Sequence, residues 1–431
     1  MKTVRFVTLG CKVNQYETQA MRESLARTGV CERKDGAHDF VVLNTCTVTE
    51  AVDRENRYWI RRLRRENPQA KIVVTGCWVE RNRNEIEAIP EVDLILGNQE
   101  KENLTDRLFP GCGTPEIQCR SKREYSPLEI SRFGGHARAF IKIQDGCNHA
   151  CSFCKVVLAR GRSRSRPLHA IVEEAKRLQE AGYREMVLTG IQLGAYGADL
   201  EPRLNLVSVL EALSKVPGIE RIRLSSIEPT DVRPELIQAL KELRGMCPQL
   251  HIPLQSGDSE ILRQMNRRYD RDFYQDLIRN LRETIADFCL SMDAMAGFPG
   301  EEEFHFQNTL ALIEATRPIQ IHAFPYSRRP GTRAARLNGL SEPVIRERMN
   351  RLIDFSEGVA RRERTQFLGR SFPVLVEKKS SRGELYQGHT AHYLKVYFPA
   401  APEFLGKTMQ TRLLEVAGDG LIGNWEEDSF E

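Results

Sequence analysis

The chain lacks several features that would assign it to a class of protein directly. No apolar run approaches the roughly 18 residues that a membrane-spanning helix needs, and the first residues predict a strand rather than a signal peptide. Its net charge of +4 is too small to indicate nucleic-acid binding by itself. Its 11 cysteines are an odd number, which fits a disulfide framework poorly. We therefore expect a cytoplasmic protein without a membrane segment, whose spaced cysteines are metal ligands or catalytic thiols.

What is present is an ordinary globular composition, 41% hydrophobic and 28% charged, over 431 residues. A chain of this length needs roughly two to four domains. The pattern changes along the chain in a way that predicts three, at residues 1–112, 136–365 and 366–431. A polar stretch over 111–135 has no clear period and indicates a linker, so its Cys112 and Cys119 are not expected to have a function.

The first domain alternates short apolar runs with helical patterns. Runs at 4–9, 40–43 and 71–74 predict buried strands, and 17–27 and 50–66 predict helices, an order typical of a flavodoxin-like parallel sheet. Three cysteines come just after those strands: Cys11, Cys46 and Cys77. Because the carboxyl ends of parallel strands share one edge of a sheet, we expect these cysteines to converge there. The alternative is that they are three small buried core residues.

The second domain has longer repeats of strand and helix. Six strands are predicted, each followed by a segment of helical length, at 139–143, 185–188, 221–225, 250–254, 290–294 and 319–324. Six units fall short of the eight of a complete barrel and favour a partial (β/α)6 barrel, whose catalytic face is built from the loops after the strands. Cys247 and Cys289 lie in or near strand patterns and are expected in the core.

The third domain changes to short strands, predicted at 372–377, 392–398 and 408–416 and separated by glycine-containing turns. No helical pattern interrupts them, which indicates a small antiparallel β-barrel resembling an OB-fold. Such barrels commonly bind oligonucleotides, although the fold alone does not establish that use.

A compact group of cysteines, Cys147, Cys151 and Cys154, forms a C-x3-C-x2-C run in the loop after the first predicted barrel strand. A four-iron cluster normally takes four thiolates, so three leave one iron open to a small molecule. A zinc site is the alternative, but structural zinc takes four ligands, no fourth cysteine is near, and His149 inside the run is badly placed to be one. The dispersed cysteines of the first domain would form a second triplet of the same kind.

The compact run, with Phe153 before its last cysteine, resembles the signature of the radical SAM superfamily. Further segments resemble one family within it, the methylthiotransferases: Ala159-Arg160-Gly161-Arg162-Ser163, Leu188-Thr189-Gly190-Ile191, Leu224-Ser225-Ser226-Ile227-Glu228-Pro229, His251-Ile252-Pro253-Leu254-Gln255-Ser256-Gly257 and Ala296-Gly297-Phe298-Pro299-Gly300-Glu301. The resemblance covers the whole chain and implies a cluster domain, a radical SAM barrel and a C-terminal TRAM barrel, in that order. One segment departs from the family pattern, because Lys155-Val156-Val157-Leu158 stands where a proline usually follows the cysteines.

The resemblance implies S-adenosylmethionine and two 4Fe-4S clusters as cofactors, one cluster on each cysteine triplet. In the family, the compact cluster cleaves S-adenosylmethionine to give a radical, and the dispersed cluster holds the sulfur that is delivered. The resemblance also implies a cofactor pocket at the strand ends, with the expected residues Phe153, Thr189, Gly190, Ser226, Glu228 and Gln255. No catalytic residue beyond the cluster ligands is predicted.

The first cysteine loop, Gly10-Cys11-Lys12-Val13-Asn14-Gln15-Tyr16-Glu17, resembles the members that convert N6-threonylcarbamoyladenosine at position 37 of tRNA to its 2-methylthio derivative. The implied partners are the tRNA anticodon loop, a reductant protein and a sulfur donor, and we expect a monomer. Arginine-rich segments at 54–65, 160–166 and 328–336 suit phosphate contacts, although each could be a solvated face. The alternatives are a methylthiotransferase for isopentenyladenosine tRNA or a ribosomal-protein side chain, and an electron carrier with an RNA-binding tail.

Overall fold

The computed structural model describes residues 1–47, 49–110, 125–126 and 128–425. Cys112 and Cys119 of the predicted linker lie outside these residues, as does the end of the predicted third domain after residue 425. No helix within the described ranges is both long enough and apolar enough to cross a membrane.

The N-terminal part is a parallel sheet covered by helices. Its strands are β1 (Thr3–Thr8), β2 (Cys31–Glu32), β3 (Phe40–Thr45), β4 (Lys71–Gly76) and β5 (Leu94–Leu96), paired in the order β2-β1-β3-β4-β5 with every pair parallel. Its helices are α1 (Lys12–Arg27), α2 (Glu50–Glu66), α3 (Val79–Glu87) and α4 (Leu104–Leu108). Val42 and Val73 belong to one core, whereas Val41 and Val74 belong to another. The strands are nearly continuous in apolar character because successive side chains enter different cores.

The predicted strands and the second helix of this part match the structure to within a few residues. Helix α1 differs, because it begins at Lys12 rather than at 17. Residues 12–16 carry several polar side chains and gave no helical signal, yet Val13 and Tyr16 are buried and fix the first turn against the protein. The short strands β2 and β5 were not predicted, since two or three residues carry no readable period.

The middle part contains most of the remaining elements. Its strands are β6 (Ala139–Lys142), β7 (Gln144–Asp145), β8 (Arg164–Ser165), β9 (Glu185–Thr189), β10 (Arg221–Leu224), β11 (Gln249–His251), β12 (Cys289–Ala296) and β13 (Gln320–Pro325). Its helices are α5 (Val156–Arg160), α6 (Leu168–Glu180), α7 (Leu206–Ser214), α8 (Pro234–Glu242), α9 (Ser259–Gln264), α10 (Arg271–Thr284), α11 (Glu303–Thr316) and α12 (Glu342–Thr365).

Six of these strands follow one another in space in chain order. β6, β9 and β10 form one parallel sheet and β11, β12 and β13 another, and single bridges at Ile222–Met246 and Ser226–His251 connect the two. β11 ends at His251 rather than at 254, because Pro253 has no N–H to donate and Gln255 adopts a φ of +64°. The short pair β7 and β8 is antiparallel and closes the base of the compact cysteine loop. Cys247 and Cys289 are buried, as expected.

The C-terminal part is a closed barrel of five strands. They are β14 (Ser371–Lys379), β15 (Leu385–Thr390), β16 (Lys395–Pro399), β17 (Thr408–Ala417) and β18 (Gly420–Trp425), in the ring order β14-β15-β16-β18-β17. The expectation of a purely antiparallel barrel is wrong at one position, since β16 and β18 are parallel. Strand directions cannot alternate around a ring with an odd number of strands, so closure requires one such pair. The strand predicted at 392–398 begins at Lys395 rather than at 392, because Tyr393 has a φ of +66°.

Candidate functional site

The compact triplet lies in the loop between β7 and α5. Its members are Cys147, Cys151 and Cys154. Each sulfur has an N–H donor at hydrogen-bond distance: the backbone of His149 lies 3.3 Å from the first, Arg267 Nη1 3.2 Å from the second and the backbone of Val156 3.4 Å from the third. Sulfur surrounded by donors is a favourable environment for thiolate ligands, so these residues fit an iron–sulfur cluster.

Burial has a clear effect on two of these thiols. It raises the pKa of Cys147 to about 11 and that of Cys154 to about 12, well above the ordinary value for a thiol. Without a metal both are therefore protonated at neutral pH, and cluster binding must displace their protons.

The dispersed triplet is brought together at one edge of the N-terminal sheet. Cys11 follows β1 and precedes α1, Cys46 follows β3, and Cys77 follows β4. The backbone N–H of Cys77 donates to Thr45 O at 3.1 Å, beside Cys46. Cys11 and Cys77 lie within electrostatic range of each other. Three cysteines separated by 66 residues of sequence thus occupy the shared carboxyl edge of β1, β3 and β4.

Two glycines allow this close approach. A Cβ at Gly10 would lie 2.7 Å from Cys46 Sγ, and one at Gly76 would lie 2.2 Å from Thr45 O. Both residues have a strongly positive φ, +95° and +108°, which side chains disfavour. A glycine before a cysteine is a signal that sequence reasoning could have used at this edge.

Contacts join the helix after the compact triplet to the dispersed triplet. Arg160, the last residue of α5, directs its Nε to Cys77 Sγ at 3.2 Å. The amide of Asn98 donates to Ala159 O at 3.3 Å and lies 3.9 Å from Cys77 Sγ. The segment that follows the compact triplet therefore contacts the site of the dispersed one.

The predicted cofactor-pocket residues lie at or just after the carboxyl ends of barrel strands, on the rim that carries the compact triplet. Thr189 ends β9 and Gly190 follows it, Ser226 and Glu228 follow β10, and Gln255 follows β11. The remaining predicted residue, Phe153, packs edge-on to Phe298 with ring centroids 6.5 Å apart.

Two of these residues have environments that bear on ligand binding. Gln255 is buried, and among the described residues its Oε1 has no hydrogen-bond partner. An open buried acceptor fits the amine or hydroxyl of a bound ligand such as S-adenosylmethionine. Glu228 forms an ion pair with Arg267, the same residue that contacts Cys151 Sγ. Burial nevertheless raises the pKa of Glu228, and the guanidinium only partly offsets that effect.

Sequence reasoning missed several residues around the loop. Gln144 accepts from the backbone of Gln192 at 2.8 Å and donates to Gly146 O at 2.7 Å, joining the cysteine loop to the end of β9. Arg267 had no signal beyond its charge. Lys155 immediately precedes α5, so the segment that lacks the family's proline enters a helix directly.

The arginine-rich segments differ in exposure. Three arginines of the 160–166 segment are buried and paired, so the expectation that this segment contacts phosphate is wrong for them: Arg160, Arg164 and Arg166. The α2 segment instead lines a surface groove of about 570 Å³ with one exposed tyrosine, formed by Arg54, Arg57, Tyr58, Arg61, Arg64, Arg65 and Glu91. We call this the α2 groove.

Within the described part of the chain, no three His, Cys, Asp or Glu side chains are placed to hold a single metal ion. A four-iron cluster makes a different demand, because each of its thiolates ligates a different iron. The separated sulfurs of each triplet suit that arrangement.

Comparison with known proteins places this geometry in context. The Radical SAM superfamily model matches residues 141–313, and the model described as Uncharacterized protein family UPF0004 matches residues 3–97. The threonylcarbamoyladenosine tRNA methylthiotransferase MtaB of Bacillus subtilis is 37% identical over 96% of this chain and 94% of that protein. The tRNA-2-methylthio-N(6)-dimethylallyladenosine synthase of Clostridium novyi is 33% identical over 96% of this chain and 95% of that protein. The radical S-adenosylmethionine methyltransferase TsrM of Kitasatospora setae, a solved structure, has a TM-score of 0.55 at 18% identity over 78% of this chain and 77% of that one.

The six-stranded α/β fold and its cysteine loop define the class: this is a radical SAM enzyme. Two further findings narrow that class: a parallel sheet precedes the barrel, and the methylthiotransferases match nearly the whole length of the chain. The chain belongs to the radical SAM methylthiotransferase family, MtaB type, and is therefore an enzyme that transfers methylthio groups. Its cofactors are S-adenosylmethionine and two 4Fe-4S clusters.

Proposed function

We propose that this enzyme converts N6-threonylcarbamoyladenosine at position 37 of tRNA to its 2-methylthio derivative. The observation that carries the proposal is the near-full-length identity to relatives named for that substrate, 37% in Bacillus subtilis, against 33% for a relative named for dimethylallyladenosine. The contact of Arg160, which follows the compact triplet, with Cys77 of the dispersed triplet supports it, because sulfur delivery and radical formation must occur at the same base.

We assign one cluster to each triplet, the auxiliary cluster to Cys11, Cys46 and Cys77 and the radical SAM cluster to Cys147, Cys151 and Cys154. When bound, these cofactors would supply the radical and the sulfur needed at adenine C2, whose C–H bond is too inert for acid–base chemistry. The protein's own residues ligate, orient and exclude water. We assign Phe153, Thr189, Gly190, Ser226, Glu228 and Gln255 to the S-adenosylmethionine pocket.

Lys12 gives a physical basis for selecting the substrate. Burial lowers the pKa of the Lys12 ammonium, and Arg138 and Arg223 lower it further, whereas Tyr393 and Cys11 act in the opposite direction. The positive potential there is strong enough to lower the pKa of the Tyr393 phenol, although burial alone would raise it. A threonylcarbamoyl group carries a carboxylate, whereas a dimethylallyl group is a hydrocarbon. The partly buried Lys12 ammonium, within electrostatic range of Arg138 and Arg223, therefore favours the threonylcarbamoyl group over the dimethylallyl group.

Room for such a group lies near Lys12, in a cavity that Lys12 itself does not line. A cavity of about 700 Å³ lies between β13, α12 and the C-terminal barrel, with His322 and Tyr393 in its wall. Both residues are within electrostatic range of Lys12. We propose that the threonine carboxylate approaches Lys12 from this cavity.

The α2 groove is our candidate for contact with the tRNA backbone. Arg61 and Arg65 are exposed there, and Tyr58 is 53% exposed and could stack on a base or sugar. At the other end of α2, the backbone N–H of Glu50 donates to Ser327 Oγ at 3.1 Å, close to Cys46 and the barrel rim. The groove thus leads away from the cysteine site along a helix about 25 Å long.

We further propose the domain limits 1–112, 136–365 and 366–431, with a flavodoxin-like first domain and a TRAM domain of OB type at the end. The strand order 2-1-3-4-5 and the closed five-stranded ring support these assignments. A reductant protein and a sulfur donor complete the set of partners. A cytoplasmic monomer suits an enzyme whose substrate is tRNA.

The test uses reconstituted protein with S-adenosylmethionine, a reductant and two anticodon stem-loop RNAs, one carrying threonylcarbamoyladenosine and the other dimethylallyladenosine at position 37. Mass spectrometry of the nucleosides should detect the methylthio product only from the first RNA. Product from the second RNA, or methylthiolation of a ribosomal protein instead, would replace our proposal with the corresponding alternative. Absence of 5′-deoxyadenosine would favour an electron carrier.

Lys12 is tested in the same assay. Lys12→Gln should lower kcat/KM for the first RNA by about 10- to 150-fold, from the roughly 1.5–3 kcal/mol of a hydrogen bond to a charged group. Cleavage of S-adenosylmethionine without RNA should be unchanged. Lys176→Gln, at an exposed residue paired with Glu173, is the matched control. An unchanged kcat/KM for Lys12→Gln would refute the role of Lys12.

A further inference from the structure

The contacts of Arg160 are unusual for an arginine next to a metal-binding loop. Its Nε lies 3.2 Å from Cys77 Sγ, its Nη1 2.7 Å from Glu17 Oε1 and 3.1 Å from Asp145 Oδ1, and its Nη2 2.7 Å from Asn14 Oδ1. The residue is buried, with only 4% of its surface exposed. Every edge of the guanidinium therefore has a partner, and one of those partners is a sulfur.

These partners come from both cysteine-bearing regions. Asn14 and Glu17 belong to α1, directly after Cys11, whereas Asp145 belongs to β7, two residues before the compact loop. Arg160 itself ends the helix after that loop. A single side chain thus joins the first residues of the dispersed site to both ends of the compact one.

Among the described residues, the charges in this buried group do not balance. Lys101 and Lys142 also contact Glu17, and Lys142 lies 2.8 Å from Asp145 Oδ2, so three buried cations face two carboxylates. Arg164 adds another cation 3.7 Å from Asp145 Oδ2. An uncompensated buried charge is costly, so an additional anion is expected at this place. The sulfur of Cys77 is the group in contact with Arg160 that can supply it.

We propose that Arg160 is a positioning residue for the auxiliary cluster: its N–H donates to the Cys77 thiolate, and its charge stabilises the cluster's more negative, reduced form. Hydrogen bonds to ligand sulfur and local charge are two of the means by which a protein sets a cluster's reduction potential, and both of these raise it here. The same contact holds the cluster at a fixed place relative to the compact loop. The proposal rests on the proposed function only in assigning a cluster to Cys77.

The first test measures the auxiliary cluster alone. In full-length protein whose compact triplet is changed to alanine, the midpoint potential is determined by EPR-monitored redox titration for the parent, Arg160→Lys and Arg160→Gln. Both substitutions should shift the potential to more negative values and change the EPR spectrum, with the larger shift in Arg160→Gln. Arg166→Lys is the matched control, because Arg166 is equally buried and paired with Glu174 at 2.8 Å. Unchanged potentials in both Arg160 variants would overturn the proposal.

A second measurement needs no Arg160 variant and so holds even if those variants fail to fold. Protein labelled with ¹⁵N-arginine and carrying only the auxiliary cluster is reduced and examined by pulsed EPR. A hyperfine coupling to an arginine nitrogen is expected from Nε, and its absence would refute the contact. Neither measurement uses RNA or S-adenosylmethionine, so failure of the proposed tRNA activity would leave both results interpretable.

Discussion

Glu185 holds the arginines that connect the middle part of the chain to the C-terminal barrel. A substitution at this residue should therefore weaken the placement of that barrel. This carboxylate, 1% exposed, contacts three arginines: Arg223 at 2.7 Å, Arg221 at 3.4 Å and Arg138 at 3.8 Å. The first two arginines in turn donate to carbonyl groups of the C-terminal part, including Ala391 O at 3.0 Å and Pro373 O at 2.7 Å. Glu185→Gln keeps the shape of the side chain but removes its charge.

Two estimates of the cost agree. Burial alone would raise the pKa of Glu185, but Arg223 and Arg138 outweigh burial and lower it from an ordinary 4.5 to about 2. At about 1.4 kcal/mol per pKa unit, the ionised carboxylate contributes about 3 kcal/mol at neutral pH. Breaking a buried ion pair from one side typically costs about 3–5 kcal/mol. Because the folded pKa is depressed, this contribution is complete above pH 4.5 and disappears as the pH falls toward 2.

Hydrogen exchange followed by mass spectrometry measures the loss of stability separately for each segment of the chain. Glu185→Gln should reduce the protection of β14 and β15 by about 100-fold, corresponding to about 3 kcal/mol, while the N-terminal sheet stays as protected as before. Glu220→Gln is the control, because Glu220 is exposed and 3.9 Å from its partner Arg184. A loss below about 0.5 kcal/mol in Glu185→Gln would refute the reasoning, since that is the scale of ordinary surface substitutions.

Four further predictions follow from the site and the barrel. Cys11→Ala should retain cleavage of S-adenosylmethionine but abolish methylthiolation, whereas Cys151→Ala should lose both; product from Cys11→Ala would contradict the two-cluster assignment. Gly10→Ala should lose iron from the auxiliary site, because its Cβ would overlap Cys46 Sγ, whereas Gly29→Ala, with a similar positive φ but no described atom within 4 Å, should keep it. Changing Arg61 and Arg65 together to Gln should weaken tRNA binding and reduce its salt dependence by about two counterions, as measured by the slope of log Kd against log salt. Burial lowers the pKa of His392 to about 4, so the C-terminal barrel should lose about 2 kcal/mol as the pH falls from 7 to 5, and thermal unfolding of His392→Phe should show a flatter pH profile.

Local sequence patterns predicted the elements whose limits depend on neighbouring residues. The strands around Val41 and Val73 could be predicted because each is a short, β-branched run with apolar neighbours on both sides. Helix α2 matched its predicted ends, since Thr49 accepts from the backbone of Val52 and Pro68 follows the last turn. The start of α1 was not predictable, because it depends on Tyr16 packing against distant parts of the chain.

The candidate site likewise has one part that the sequence predicts and another that only the structure shows. The sequence by itself determined the compact triplet, because three cysteines within eight residues must lie in one loop whatever the rest of the chain does. It also indicated the dispersed triplet, through the rule that parallel strands end at a common edge. Only the tertiary structure decided that Arg160 contacts Cys77, that Lys12 lies beside Tyr393, and that most arginines near the compact loop are buried. Such contacts join residues far apart in sequence, so they depend on strand register and side-chain packing over the whole molecule, which no local pattern encodes.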